Sequence, residues 1–244
     1  MDYFDNIATL KKRLKSKHYS REDINYFKFL IEIERKKIPP TEIIFQLGLY
    51  IGQSNLSRYL NFYELYKKTL SLRGNCCDIG TWKGSSFLFI AKLIKIFEPH
   101  SKTKIYGFDW FKGQNPGKKD NKRFKGKYKS SYKQLLNNIN YLELKDFVVL
   151  EKMNLVKNFS KYLQKRPWLE FKYAFVDCGS SDVLEETIKN LWPKISIGGI
   201  LILDHFSFES TPQEKIIVRK YIKNHKVHQL PFSGHPAAYI QKKK

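Results

Sequence analysis

The chain has 244 residues, 42% of them hydrophobic and 15% aromatic, enough for one good-sized α/β domain with an added segment. No apolar stretch approaches the roughly 20 residues of a membrane span, and the acidic start Met1-Asp2-Tyr3-Phe4-Asp5 lacks the apolar run of a secretion signal, so the cytoplasm is expected. Forty-five basic against 23 acidic residues leave a net charge of +22, a field that attracts nucleic acid, phosphorylated small molecules, acidic glycans or an anionic membrane surface.

Residues 1–72 read as helical, with no strand pattern. The stretch 21–37 is amphipathic through Ile24, Phe27, Phe29, Leu30 and Ile33, and stops before Pro39-Pro40. A second helix is expected over 55–72, with Leu56, Tyr59, Leu60, Tyr63, Leu65 and Tyr66 on its apolar side. This part, 1–72, is expected to be an appendage, a lid or an oligomer contact. From Gly74 onward strands alternate with helices, the pattern of a Rossmann-like α/β fold with a mostly parallel sheet, so 73–244 forms the main domain. Strands are expected at 75–79, 104–109, 146–151, 172–177 and 199–204, with helices near 85–97, 127–143, 157–165, 181–192 and 211–224. Two short strands, 227–232 and 237–241, would add an antiparallel edge and make seven. The three cysteines, Cys76, Cys77 and Cys178, lie in or beside these strands without metal-binding spacing, as buried reduced thiols do.

The run Asp78-Ile79-Gly80-Thr81-Trp82-Lys83-Gly84-Ser85-Ser86 is a strand end, a glycine turn and a helix start. That geometry brings backbone N–H groups and a helix N-terminus to a small anionic group. Gly80 permits the turn, and Gly84 lets the helix approach the strand. Asp78 at the strand end can meet a cation. A ligand carrying both an ammonium and a carboxylate, the amino-acid end of S-adenosylmethionine (SAM), suits the pair. Helix–strand packing alone also uses such glycines, and the spacing is not the dinucleotide fingerprint. The next strand, 104–109, ends in Asp109, which can accept both hydroxyls of a ribose. After it comes a dense basic stretch between Lys112 and Lys133, with Lys118, Lys119, Lys122, Arg123, Lys125, Lys127 and Lys129 opposed by Asp120 alone, expected to overhang the carboxyl edge of the sheet.

These residues resemble the macrocin, mycinamicin and novobiocic-acid group of sugar O-methyltransferases, a class I SAM-dependent family, over about 47–241. The stretch 47–67 is similar to the family's helical lead-in, 78–85 to its first SAM motif and 105–113 to its second-strand motif. Phe175-Val176-Asp177-Cys178, Pro193, Gly198-Gly199 and Asp204-His205-Phe206 match its later motifs. The resemblance implies that Asp78, Gly80 and Gly84 shape the amino-acid end of a SAM site. It also implies that Ser85 or Ser86 binds the methionine carboxylate, that Asp109 holds the ribose, and that Met153 and Asn154 lie near the adenine.

Asp177 and Asp204 end the fourth and fifth strands, where two carboxylates at one sheet edge can share a divalent cation. The resemblance implies Mg²⁺ on Asp177, Asp204 and His205, with Asp177 also a candidate base. Two departures stand out. Cys178-Gly179 removes a carboxylate the family commonly has, for which Asp182 can substitute. His205 replaces an aspartate, and imidazole suits Mn²⁺, Fe²⁺ or Zn²⁺ better than Mg²⁺. His205 can instead orient the acceptor or act as a base. His225, His228 and His235 are expected to be ordinary surface or core histidines. The function expected is methyl transfer to a hydroxyl of a nucleotide sugar, a glycoside or a polysaccharide precursor, by an enzyme that can form homo-oligomers. The basic surface, with Phe124, Tyr128 and Tyr132 among its lysines, leaves a nucleic-acid methyltransferase as an alternative. The departures at the acceptor site leave a non-catalytic SAM-fold protein as another.

Overall fold

The computed structural model describes residues 7–16, 19–117, 120–206, 212–230 and 235–244. Lys118 and Lys119 of the basic stretch, residue 211 at the start of the last expected helix, and 231–232 at the end of an expected strand lie outside them. The chain divides into two compact units, residues 1–58 and 59–244.

The first unit is helical: α1 (Ile7–Leu14), α2 (Arg21–Arg35), α3 (Pro40–Phe45), α4 (Leu47–Tyr50) and the start of α5 (Gln53–Lys67). Ser20 caps α2, accepting from the backbone N–H of Asp23 while the Asp23 carboxylate reaches back to the Ser20 N–H. Lys37, at φ 53°, turns the chain after α2, and Pro40 opens α3, where its missing N–H costs nothing. Inside this unit the Tyr26 hydroxyl donates to the Tyr50 carbonyl at 2.9 Å, and Tyr50 donates to the Glu42 carboxylate at 2.5 Å.

The second unit is a seven-stranded sheet. In chain order it holds β1 (Asn75–Ile79), α6 (Ser85–Phe97), β2 (Ile105–Asp109), α7 (Tyr132–Tyr141), β3 (Val148–Lys152), α8 (Leu155–Gln164), β4 (Phe171–Val176), α9 (Ser181–Leu191), β5 (Ile195–Leu203), α10 (Pro212–Tyr221), β6 (Val227–Gln229) and β7 (Ala238–Gln241). The strand order is β3-β2-β1-β4-β5-β7-β6. The first five pair in parallel, while β7 runs antiparallel to both β5 and β6. This is the Rossmann-like, mostly parallel sheet with an antiparallel edge that the strand pattern predicts.

Side chains alternate across the sheet with the period of two that a strand imposes. Cys77, Ile79, Leu201 and Leu203 point into a core with Phe159, Ile188 and Val218 of α8, α9 and α10. Cys76, Ile200 and Ile202 point into the opposite core with Phe62, Phe87 and Leu135 of α5, α6 and α7. Burial holds the Cys76 and Cys77 thiols above the ordinary thiol range, so they act as packing groups.

Several boundaries shift, among them the end of α5, which stops at Lys67 rather than 72. Helix α7 starts at Tyr132 rather than 127, because Gly126 and Tyr128 turn with positive φ and Ser131 caps the helix on the Gln134 N–H. Strand β5 starts at Ile195 rather than 199, with an irregular register against β4 that accommodates Gly198 at φ 84°.

Candidate functional site

The tips of the central strands form one continuous edge. Beyond the regular strands the ladder runs on: Asp177 N–H donates to the Ile79 carbonyl at 2.9 Å, Asp204 N–H to the Val176 carbonyl at 3.2 Å, and Met153 N–H to the Asp109 carbonyl at 2.8 Å. The carboxyl ends of β3, β2, β4 and β5 therefore carry Met153, Asp109, Asp177 and Asp204 along one edge, with Asp78 of β1 set deeper, paired with Gly107 and Phe175. In open α/β sheets ligands bind at this edge.

On the β1 side, Gly80 has φ 87°, and a Cβ there would collide with the Asp177 carbonyl. The tip of β1 turns directly against the tip of β4, and only glycine fits. Gly84, at φ 92°, sits before α6, and a Cβ there would run into Leu135. Asp78 is buried, and the Ser86 hydroxyl donates to its Oδ2 at 2.5 Å. Ser86 is thus a positioning group for Asp78. Ser85 is exposed, its hydroxyl 2.6 Å from that of Tyr59. Asp109 accepts from the backbone N–H of Trp82 at 2.8 Å on one oxygen and from that of Phe111 at 2.6 Å on the other. It ties the β1 turn to the β2 turn. Burial raises its pKa, opposed by those N–H groups. A carboxylate offers about four lone-pair directions, so acceptor capacity remains for hydroxyl donors. Asn154 caps α8, accepting from the Lys157 N–H at 3.1 Å.

The basic stretch does overhang this edge. Asp120 accepts from the Gly117 N–H at 2.6 Å and from the Ser181 N–H, at the start of α9, at 2.9 Å. The Ser180 hydroxyl donates to the Asn115 carbonyl, and the Ser130 hydroxyl to the Trp82 carbonyl. The only acid within the lysine stretch is therefore a fastener. Trp110, Phe111, Lys112, Lys129, Tyr132 and Lys152 line a cavity of about 680 Å³ beside it.

On the β4 and β5 side, the His205 ring lies between the two aspartates. Nδ1 is 3.8 Å from Asp177 Oδ1, and Nε2 is 3.5 Å from Asp204 Oδ2. Asp182, in the first turn of α9, lies against Gly117, and is not among the metal-capable donors grouped here in the described residues. Two further residues do reach the aspartates and His205, and sequence reasoning missed both. His235, expected to be an ordinary histidine, stands just before β7, where Ala237 N–H donates to the Leu203 carbonyl. Its Nδ1 stands 2.8 Å from Asp204 Oδ2. Glu214 in α10 is buried, and its carboxylate accepts from the His205 N–H at 3.4 Å. Burial, reinforced by the Asp204 charge, pushes its pKa up to about 8. Neither residue lies in a motif. Only strand pairing brings His235 here, and only the docking of α10 brings Glu214.

A family model described as "Methyltransferase domain" matches residues 77–206, more than half the chain, and the chain belongs to this methyltransferase family. The match runs from β1 to the far side of the Asp204-His205 pair. No curated protein sequence matches significantly. Among solved structures, the chain is similar to CalS11, described as calicheamicin methyltransferase, with a TM-score of 0.79, 22% identity and 92% of this chain aligned to 94% of that one. An apo structure of CalS11, described as TDP-rhamnose 3'-O-methyltransferase, gives 0.72 at 23% identity over 92% and 96%. The O-methyltransferase NovP gives 0.65 at 16% identity over 78% and 81%. These likenesses establish a shared class I methyltransferase fold. Among the described residues no helix is long and apolar enough to cross a membrane.

Proposed function

We propose that the protein is a SAM-dependent O-methyltransferase acting on a sugar hydroxyl, with a nucleotide-linked sugar as the acceptor class. One observation carries this: Asp78 and Asp109 stand at adjacent strand tips around a glycine turn, and Asp177, Asp204 and His205 stand at the next two tips of the same edge. The first group fits the donor. Asp78, held by Ser86, offers a carboxylate to an ammonium, the turn after Gly80 offers backbone N–H groups, and Asp109 offers acceptor positions to ribose hydroxyls. Met153 and Asn154 border the place of the adenine. When bound, SAM supplies a methyl group on a sulfonium, and the protein's task is to align an oxygen with it.

A sugar hydroxyl is a weak nucleophile at neutral pH and needs a proton acceptor in reach. Asp177 and His205 are at hand, and either can take the hydroxyl proton. Asp204 and His205 also offer donors suited to a divalent cation, which would supply Lewis-acid polarisation of the acceptor oxygen. Holding the reactants in line is expected to supply several kcal/mol of the barrier reduction. The fastened lysine stretch supports a phosphate-bearing acceptor, and the description of CalS11 as a TDP-rhamnose enzyme agrees with that choice. The exposed Ile44, Phe45, Leu47 and Leu49 in the first unit support a homo-oligomer.

The test is transfer of a labelled methyl group to a panel of nucleotide sugars, free sugars and RNA, paired with calorimetry of donor binding. Transfer to nucleotide sugars is expected, and transfer to RNA alone would overturn the acceptor class. Asp109→Ala should weaken donor binding at least about a hundredfold, as the loss of two charge-assisted hydrogen bonds worth about 1.5–3 kcal/mol each implies. Unchanged affinity would remove Asp109 from the donor site.

A further inference from the structure

We propose that Asp204, His205 and His235 form a two-histidine, one-carboxylate metal site that selects a borderline transition ion, Fe²⁺, Co²⁺ or Zn²⁺, over Mg²⁺. The inference deepens the acceptor side of the proposed function and rests on it for its catalytic meaning.

The geometry comes first. Asp204 Oδ2, a nitrogen of His205 and a nitrogen of His235 all lie within 4.8 Å of one another. Donors at about 2.0–2.2 Å from one ion, in tetrahedral or octahedral arrangement, are about 3–3.5 Å apart. Here Asp204 Oδ2 is 2.8 Å from His235 Nδ1 and 3.5 Å from His205 Nε2, so small side-chain adjustments bring the three donors onto one centre. The two imidazole rings meet edge to face with centroids 4.9 Å apart, which lets both approach one point without stacking.

The placement of Asp177 supports the same assignment. It faces the other nitrogen of His205, Nδ1, at 3.8 Å. A histidine that ligates through one ring nitrogen commonly gives its other N–H to a carboxylate, which fixes the tautomer and the ring direction. Asp177 is set to orient His205 in this way, or to take the acceptor proton, and is not required as a ligand. Asp204 has the opposite character: it is buried at the end of β5 and common to both histidines.

Chemistry decides the ion. Mg²⁺ takes oxygen donors and keeps several waters, whereas imidazole favours Fe²⁺, Co²⁺ and Zn²⁺, and two histidines with one carboxylate is a recurrent set for such ions.

The test uses the full chain, free of any histidine tag, stripped with chelator and titrated with Co²⁺, Mn²⁺, Zn²⁺ and Mg²⁺. Calorimetry and the visible absorption of Co²⁺ are the readouts. One Co²⁺ per chain with ligand-field bands is expected, undisplaced by a large excess of Mg²⁺ and displaced by Zn²⁺. His235→Ala and His235→Gln should each weaken Co²⁺ by more than about tenfold and alter its bands. Asp177→Asn should keep the stoichiometry while losing about 10–100-fold in affinity. Binding of S-adenosylhomocysteine should be unchanged in the His235 variants, which reports an intact fold. Parental Co²⁺ affinity in both His235 variants, or Mg²⁺ competing on equal terms, overturns the assignment. Failure of the parent to bind S-adenosylhomocysteine would instead strike the donor reading and leave the metal titration standing.

Discussion

At the scale of single residues, the acidic groups divide by what surrounds them. Asp78 is held by Ser86, Asp109 by two backbone N–H groups, and Asp204 lies beside two histidines. Glu214 is the exception: it is buried near Asp204, and its pKa rises from an ordinary 4.5 to about 8. An acid with a raised folded pKa keeps its proton in the folded state after the unfolded chain has released it. Stability therefore falls as pH rises from about 4.5 to about 8 and stays low above that range. Glu214→Gln should flatten this fall and raise the melting temperature above pH 8 relative to the parent, measured in the presence of chelator. A parallel pH profile for the two proteins would show that Glu214 carries no such linkage.

At the scale of elements, two features hold the edge and the base of the sheet. The β1 turn depends on Gly80. Alanine there would pay about 1–2 kcal/mol for left-handed backbone and would also collide with the Asp177 carbonyl. Gly80→Ala should cost at least about 2 kcal/mol in denaturant unfolding and should weaken donor binding, because β1 and β4 would be forced apart. At the opposite end of the sheet, Lys172 of β4 is fully buried with its ammonium 2.6 Å from Glu98, which also accepts from Tyr66 and Thr103. Glu98 follows the last residue of α6, and its carboxylate is the counterion of a buried lysine. Glu98→Ala strands that charge, and a loss of about 3–5 kcal/mol is expected in denaturant unfolding. A loss below 1 kcal/mol would mean that Lys172 finds solvent when the partner is removed.

At the scale of the whole molecule, the charge of +22 is not spread as an inert coat, since part of it is pinned over the carboxyl edge of the sheet through Asp120 and Ser130. The first unit shows a different imbalance: Ile44 and Phe45 are 71% and 84% exposed. Isolated exposed apolar residues are ordinary, but several within a few residues mark a contact surface. If that surface joins two copies, Phe45→Glu combined with Leu49→Glu should convert the parent oligomer to a monomer in sedimentation. A monomeric parent would remove the proposal.

The sequence alone determined the alternation of strands and helices, the sheet's parallel core with its antiparallel edge, the glycine turn after β1, and the acids Asp78, Asp109, Asp177 and Asp204 at strand tips. These are local properties: periodicity, turn chemistry and the end of an apolar run are written in neighbouring residues. Only the tertiary structure decided that Ser86 serves Asp78, that Asp120 fastens the lysine stretch, and that His235 and Glu214 meet Asp204. His235 lies 31 positions from Asp204 in the chain, and the pairing of β7 with β5 closes that distance. No pattern along the chain records such a meeting, because it depends on which strand becomes whose neighbour.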